Sequence, residues 1–270
     1  MNANEFVDQI QTNFAEIRSR LKFNAIVYGK QGTGKTRLIS TARKPILLHC
    51  FDPCGWTTSA LLPLIERGDL LVEDFSSDSM KKPHAYIDWC KRYDELKAAN
   101  FFDCVGTYAI DSLTNFGLSM MNAIVRMSSL TKQNNLDVPT QTAYGVQLRT
   151  FVDDIKGVMA LPCDVIMTGH IALERDEVEL TAETMPALAG QQAIHIPNQF
   201  MEVWITRVVQ IEGKPRYVLQ VHADGKYGAK TRIGEGKLEI FEEPDIHKIL
   251  AKVGWKYEDK PSFGKKILTA

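Results

Sequence analysis

Eight consecutive residues constrain this chain more than anything else in it. Gly29, Lys30, Gln31, Gly32, Thr33, Gly34, Lys35 and Thr36 satisfy the spacing G-x-x-x-x-G-K-[ST]. The glycines let successive backbone N–H groups turn inward around phosphate oxygens, and the N-terminus of the following helix adds its positive dipole. Lys35 would reach the β- and γ-phosphates of a nucleoside triphosphate such as ATP, and the Thr36 hydroxyl would sit on Mg²⁺. A glycine turn that merely joins a strand to a helix needs no Lys and Thr after its last glycine. The flanks agree: an apolar run at 23–28 precedes the loop, and a helix-compatible stretch at 35–42 follows it.

The rest of the chain continues that alternation. Further apolar strands are expected at 46–51, 70–75, 105–110 and 164–168, and helices at 57–67, 83–99, 113–130 and 142–161, the last two separated by a polar segment at 131–140. Strands alternating with helices imply an α/β fold with a mostly parallel central sheet covered on both faces. Residues 200–211 and 217–222 read as a hairpin across 212–215, so antiparallel strands are expected at the C-terminal edge. Phe6, Ile10, Phe14, Ile17 and Leu21 lie at helical spacing, predicting an amphipathic helix that leads into the body. The expected organisation is an N-terminal helix (1–22), an ATPase-type core (23–234), and a closing helix at 244–253 with a flexible, lysine-containing tail (235–270).

Composition narrows the function classes. With 44% hydrophobic and 24% charged residues in 270, an ordinary globular mix, wholesale disorder, collagen-like repeats and coiled coil are disfavoured. Lys and Arg number 32 against 33 Asp and Glu, a net charge of -1, so no strong overall field draws this chain to polyanions; a local basic groove stays open. There is no run of eighteen apolar residues and no basic leader, which predicts a soluble, cytoplasmic protein with no membrane partner. The five cysteines form no C-x-x-C pair and read as buried reduced thiols.

A phosphate loop of this kind needs an acidic residue at the end of a neighbouring strand to organise the metal. Asp111, at the end of Tyr108-Ala-Ile110-Asp111-Ser112, supplies it, and the same Asp-Ser pair is also good helix-capping chemistry. A later strand should end near the γ-phosphate. Val165-Ile-Met-Thr168-Gly-His170 fits, with Thr168 or His170 placed to sense the phosphate or the attacking water.

The phosphate loop, the stretch 46–55 ending Asp52-Pro-Cys54-Gly55, the Ile110-Asp-Ser-Leu-Thr114 segment, Tyr144-Gly145 opening a long helix, and Met167-Thr-Gly-His170 together resemble phage-encoded AAA-type ATP-binding proteins. These are RecA-like core ATPases, some of which act in single-strand annealing recombination. Residues 185–190, then Pro197, Phe200 and Val203, and then 228–232 resemble that family's C-terminal half, so the resemblance covers about 24–234. It implies a RecA-like P-loop fold and a homo-oligomer, ring or filament, with ATP between neighbouring subunits. Many relatives carry D-x-E-G after the second strand, with an acid that positions the attacking water. Here Cys54 stands where glutamate is expected, leaving Asp52 as the candidate general base.

Lys230 and Arg232 sit two apart and would share one face of an extended strand. They read either as a trans-acting finger that neutralises γ-phosphate charge across a subunit interface, or as a solvated basic edge. For single-stranded DNA, the loops expected to face it are 131–141, with Lys132, and 171–192, which holds Arg175 among five acids; Lys256, Lys260, Lys265 and Lys266 add basic character at the C-terminus. Two functions follow. One is an ATPase that assembles on single-stranded DNA in phage recombination or replication. The other is a nucleotide-gated scaffold with slow turnover and a protein partner.

Overall fold

A computed structural model describes residues 2–19, 21–130, 138–176, 181–234 and 236–264. The strand before the phosphate loop, β1 (Asn24–Gly29), lies at the centre of an eight-stranded sheet, and α2 (Lys35–Ile39) follows the loop. In chain order come β2 (Ile46–Cys50), α3 (Leu62–Arg67), β3 (Leu70–Asp74), α4 (Ala85–Ala98), β4 (Thr107–Asp111), α5 (Leu113–Leu130), α6 (Gln141–Met159) and β5 (Asp164–Gly169). A small hairpin follows, β6 (Ile171–Asp176) and β7 (Thr181–Pro186), and then the one-turn α7 (Gln192–His195), β8 (Glu202–Ile211), β9 (Lys214–Gln220), β10 (Phe241–Glu242) and α8 (Ile246–Val253). The sheet order is β10-β9-β8-β1-β5-β4-β2-β3, parallel from β8 to β3 and antiparallel at β9 and β10. The expected α/β architecture with an antiparallel edge is therefore the observed one.

Alternation along buried strands divides the core into two layers. Ile26 and Tyr28 of β1 and Tyr108 and Ile110 of β4 join α4, α5 and α6 on one face. Ala25, Val27 and Ala109 join Leu38, Ile39 and the α8 residues Ile246, Ile249 and Leu250 on the other. A buried polar chain braces the first layer: Trp89 Nε1 donates to Tyr108 Oη at 2.9 Å, and Tyr108 Oη lies 2.7 Å from His49 Nδ1. His49 Nε2 in turn lies 3.0 Å from Glu73.

Three elements depart from the sequence expectation. β8 is both the hairpin partner of β9 and a parallel neighbour of β1: its first five residues are buried inside the sheet, and the rest projects as an arm with β9. Residues 171–186, read as loop, form the β6–β7 hairpin, stitched to the body by Thr184 N donating to Lys226 O and Tyr28 Oη donating to Thr184 O. The C-terminal segment was expected to be flexible, yet it is pinned as far as Gly264. Lys260 N donates to Lys44 O, Lys260 Nζ to Asp103 O and Val105 O, and Phe263 N to Gly68 O. Lys260 is thereby spent on backbone carbonyls, which removes it from any DNA-facing set; Lys132, Lys265 and Lys266 lie outside the described residues.

The N-terminal helix forms as α1 (Ala3–Ser19), but Phe6, Ile10 and Phe14 are exposed rather than packed on the body. Among the described residues no helix is long and apolar enough to cross a membrane.

The start of β5 carries a pH-dependent contribution to stability. Asp164 Oδ1 accepts from Phe23 N at 3.1 Å, and burial pushes its carboxyl up from the ordinary 3.8 to about 6, against the opposing charge of Arg43. Because the folded-state value lies above the unfolded one, this contribution is fully present below about pH 4 and is lost as pH rises through about 6. A shift of that size corresponds to about 3 kcal/mol. Asp164→Asn is expected to flatten the fall in stability between pH 4 and pH 7 seen in denaturant unfolding of the wild type. Identical slopes for the two proteins would contradict the assignment.

Candidate functional site

The loop between β1 and α2 is built as the sequence requires. Gly32 and Gly34 adopt φ of 76° and 94°, a region that side chains rarely tolerate. Gly29 is demanded by close approach, since a Cβ there would strike the hydroxyl of Thr206 on β8. The loop is clamped to β8 by that same residue: Thr33 Oγ1 and Thr206 Oγ1 are 2.7 Å apart, and Thr33 donates onward to Lys30 O at 2.7 Å. Lys35 is buried with its Nζ donating to Gly29 O and Lys30 O, each at 3.0 Å. Burial lowers its pKa, opposed by the charges of Asp111 and Asp52.

β4 delivers Asp111 to the same place. Its Oδ2 accepts from Thr36 Oγ1 at 2.6 Å and its Oδ1 from Thr168 Oγ1 on β5. The carboxyl is fully buried, and that burial raises its pKa against the two hydroxyls that oppose it. Thr168 therefore supports Asp111, and His170 lies beyond it at the mouth. Gly55 completes the cradle, because a Cβ there would sit 3.5 Å from Asp111 Oδ2 and 2.9 Å from Cys50 Sγ. A buried carboxylate, a threonine hydroxyl and a gap kept open by glycine are hard oxygen chemistry that fits Mg²⁺, which takes one or two protein oxygens and completes its shell with phosphate and water. No group of three or more His, Cys, Asp or Glu that could hold a metal occurs among the described residues, so Thr36 and Asp111 are the pair that would hold it.

Asp52, two residues past β2, meets this pair from the next strand over. Its backbone N donates to Asp111 O at 3.1 Å. Its Oδ1 accepts from Ser112 Oγ at 2.5 Å and Asn115 Nδ2 at 2.7 Å, and its Oδ2 lies 3.2 Å from His170 Nε2. Burial alone would raise its pKa, but the hydrogen bonds from His170 and Ser112 outweigh burial and hold the carboxyl below the usual range. The sequence points to Asp52 and His170 separately but not to Ser112 and Asn115 as supports of Asp52; the signal is the S-x-x-N spacing, which puts them just before and within the first turn of α5.

Residues 31–36 together with Asp52, Gly55 and His170 line a cleft of about 1100 Å³, with Asp111 buried behind Thr36. Its outer wall is the projecting β8–β9 arm, through Pro215, Arg216 and Tyr217, none of which the sequence singled out. Lys230 and Arg232 do not join the site of their own chain. Lys230 pairs with Val203 beside β8 and its Nζ donates to Pro197 O at 3.3 Å, while Arg232 N donates to Glu202 Oε1. The Arg232 side chain is exposed.

No curated protein matches the chain. Among solved structures, a KaiC-like protein from the hyperthermophilic archaeon Pyrococcus horikoshii OT3 is 12% identical, with a TM-score of 0.41 over 73% of this chain and 77% of that one. A family model for AAA domains, AAA_24, matches residues 22–233, which is most of the sheet and every residue of the cleft up to Tyr217. The chain belongs to that AAA domain family.

Proposed function

We propose that this chain is a RecA-like ATPase that binds ATP with Mg²⁺ in the cleft and hydrolyses it. The observation that carries the reading is the hydrogen-bonded pair of half-buried Thr36 and buried Asp111 set beside Lys35. Backbone N–H groups of residues 29–36 would cradle the phosphates, Lys35 would neutralise the β- and γ-oxygens, and Thr36 and Asp111 would hold Mg²⁺, which supplies further charge neutralisation when bound. Asp52 and His170 stand at the γ-phosphate end.

The wider reading is a homo-oligomer acting on single-stranded DNA in phage recombination or replication. It is supported by the resemblance of residues 24–234 to the phage-encoded family. The positions of Lys230 and Arg232 outside their own cleft also suit a finger that reaches a neighbour's nucleotide. A second reading, a nucleotide-gated scaffold with slow turnover and a protein partner, is favoured by Cys54 in place of glutamate and by the three donors that occupy Asp52. ATP turnover with and without single-stranded DNA over a salt series, with sizing by light scattering, separates them. Stimulation by DNA that falls steeply with salt is the expected result. Flat turnover with ATP-dependent oligomerisation would establish the scaffold instead.

A further inference from the structure

Three donors hold the carboxylate of Asp52. Two of them, Ser112 Oγ and Asn115 Nδ2 at the start of α5, donate to Oδ1, and His170 Nε2 lies 3.2 Å from Oδ2. Hydrogen bonds to the ionised form lower a carboxylate's basicity, so these donors make Asp52 a poorer acceptor for a proton from water. An ionised carboxylate is an acceptor only, so the proton between it and His170 resides on Nε2, and the neutral ring keeps its lone pair on Nδ1. That ring is about a third exposed and lines the cleft. Its backbone is fixed as well, since His170 N donates to Thr114 Oγ1 at 3.0 Å and Ala187 N donates to His170 O at 2.8 Å.

We propose that His170, through Nδ1, is the proton acceptor for the attacking water, and that Asp52 is a positioning residue that fixes the imidazole's tautomer and orientation. The inference rests on the ATP-hydrolysis reading above. In the step, an O–H bond of water breaks and its proton passes to Nδ1, while the oxygen's electron pair forms the bond to the γ-phosphorus. The bond from that phosphorus to the bridging oxygen breaks, and its electron pair leaves on the β-phosphate of ADP. The imidazolium that forms is stabilised by the Asp52 carboxylate and returns its proton to solvent at the exposed edge of the ring. Imidazole is the side chain suited to this near neutral pH.

Among the described residues, few charges surround His170. Asp52 touches it; Lys35 and Asp111 act on Asp52 in turn; Thr114 of α5 meets its backbone, the neutral Ser112 and Asn115 meet Asp52, and Ala187 just past β7 bonds its carbonyl. Asp52 is thus the charge that holds the imidazolium.

The test is steady-state ATP turnover by the full-length chain and its His170→Ala, His170→Gln and Asp52→Asn variants. Affinity for Mg²⁺–ATP is measured in parallel, with Asp111→Asn as the control for the ATPase reading. Both His170 variants are expected to lose about 10² to 10⁴-fold in kcat with affinity little changed. Asp52→Asn should lose less, and the acid limb of its kcat profile should move to lower pH because the imidazolium loses its counter-charge. Wild-type kcat in His170→Gln, a larger loss in Asp52→Asn than in either His170 variant, or an acid limb unmoved by Asp52→Asn would each overturn the proposal. If those results come with turnover that still depends on Asp111, the ATPase reading stands and only the assignment of the base falls. Absence of turnover in the wild type overturns both.

Discussion

Lys35→Ala is expected to lose ATP binding by about 10² to 10⁴-fold. The estimate follows from two charge-assisted contacts to the β- and γ-phosphates at about 1.5–3 kcal/mol each, with tenfold in affinity per 1.4 kcal/mol. Lys35 suits this role because its ammonium is buried against its own loop: Nζ donates to Gly29 O and Lys30 O while burial lowers its pKa. A partly desolvated cation interacts more strongly with an incoming anion than a hydrated surface lysine does. The glycine turns and the Thr33–Thr206 clamp are backbone and hydroxyl contacts that do not involve Lys35, so the variant should stay folded. Isothermal titration with Mg²⁺–ATP checks the affinity, and circular dichroism melting checks the fold. Wild-type affinity in a folded variant would remove the cleft as the nucleotide site.

Asp111→Asn is expected to separate stability from activity. The carboxylate is fully buried, its strongest influence is desolvation, and two hydroxyls and the buried Lys35 offset it. Asparagine is neutral and close to isosteric, and the hydroxyls of Thr36 and Thr168 can rotate to meet its amide. The variant should therefore melt at or above the wild-type temperature near neutral pH, because the cost of burying a charge is gone. Turnover should fall at least about 10²-fold, since a charged oxygen ligand to Mg²⁺ is lost at the point where phosphate charge develops. A variant that loses stability and activity together would indicate that Asp111 is chiefly a structural acid.

The parts of the site that lie within a few consecutive residues were legible in the sequence. The phosphate loop is local: its glycines, Lys35 and Thr36 follow one strand and open one helix, so spacing alone sets their geometry. Asp111 was legible because an acid that ends an apolar strand has one natural exit from the sheet. The neighbourhood of Asp52 was not, since it depends on β2, β4 and β5 lying in a particular order, and strand order is a long-range property. Only that order brings Asp52, two residues past β2, within 3.2 Å of His170, one residue past β5. Thr206 was invisible for the same reason, because nothing in Trp204-Ile-Thr206 signals that β8 returns to lie beside β1. The β6–β7 hairpin was hidden by its charge: Glu174, Arg175 and Asp176 interrupt the apolar alternation that marks a half-buried strand. The pinned C-terminal segment was hidden because Lys260 reads as a solvated charge and instead serves two backbone carbonyls.

The central claim is that the cleft between the phosphate loop, Asp111 and His170 hydrolyses ATP. Inorganic phosphate release from Mg²⁺–ATP by the purified chain, followed beside Lys35→Ala and Asp111→Asn, tests it most directly. The account predicts steady release by the wild type that rises in proportion to protein concentration or faster and is far slower in both variants. Release by the wild type no greater than that of the two variants would contradict it.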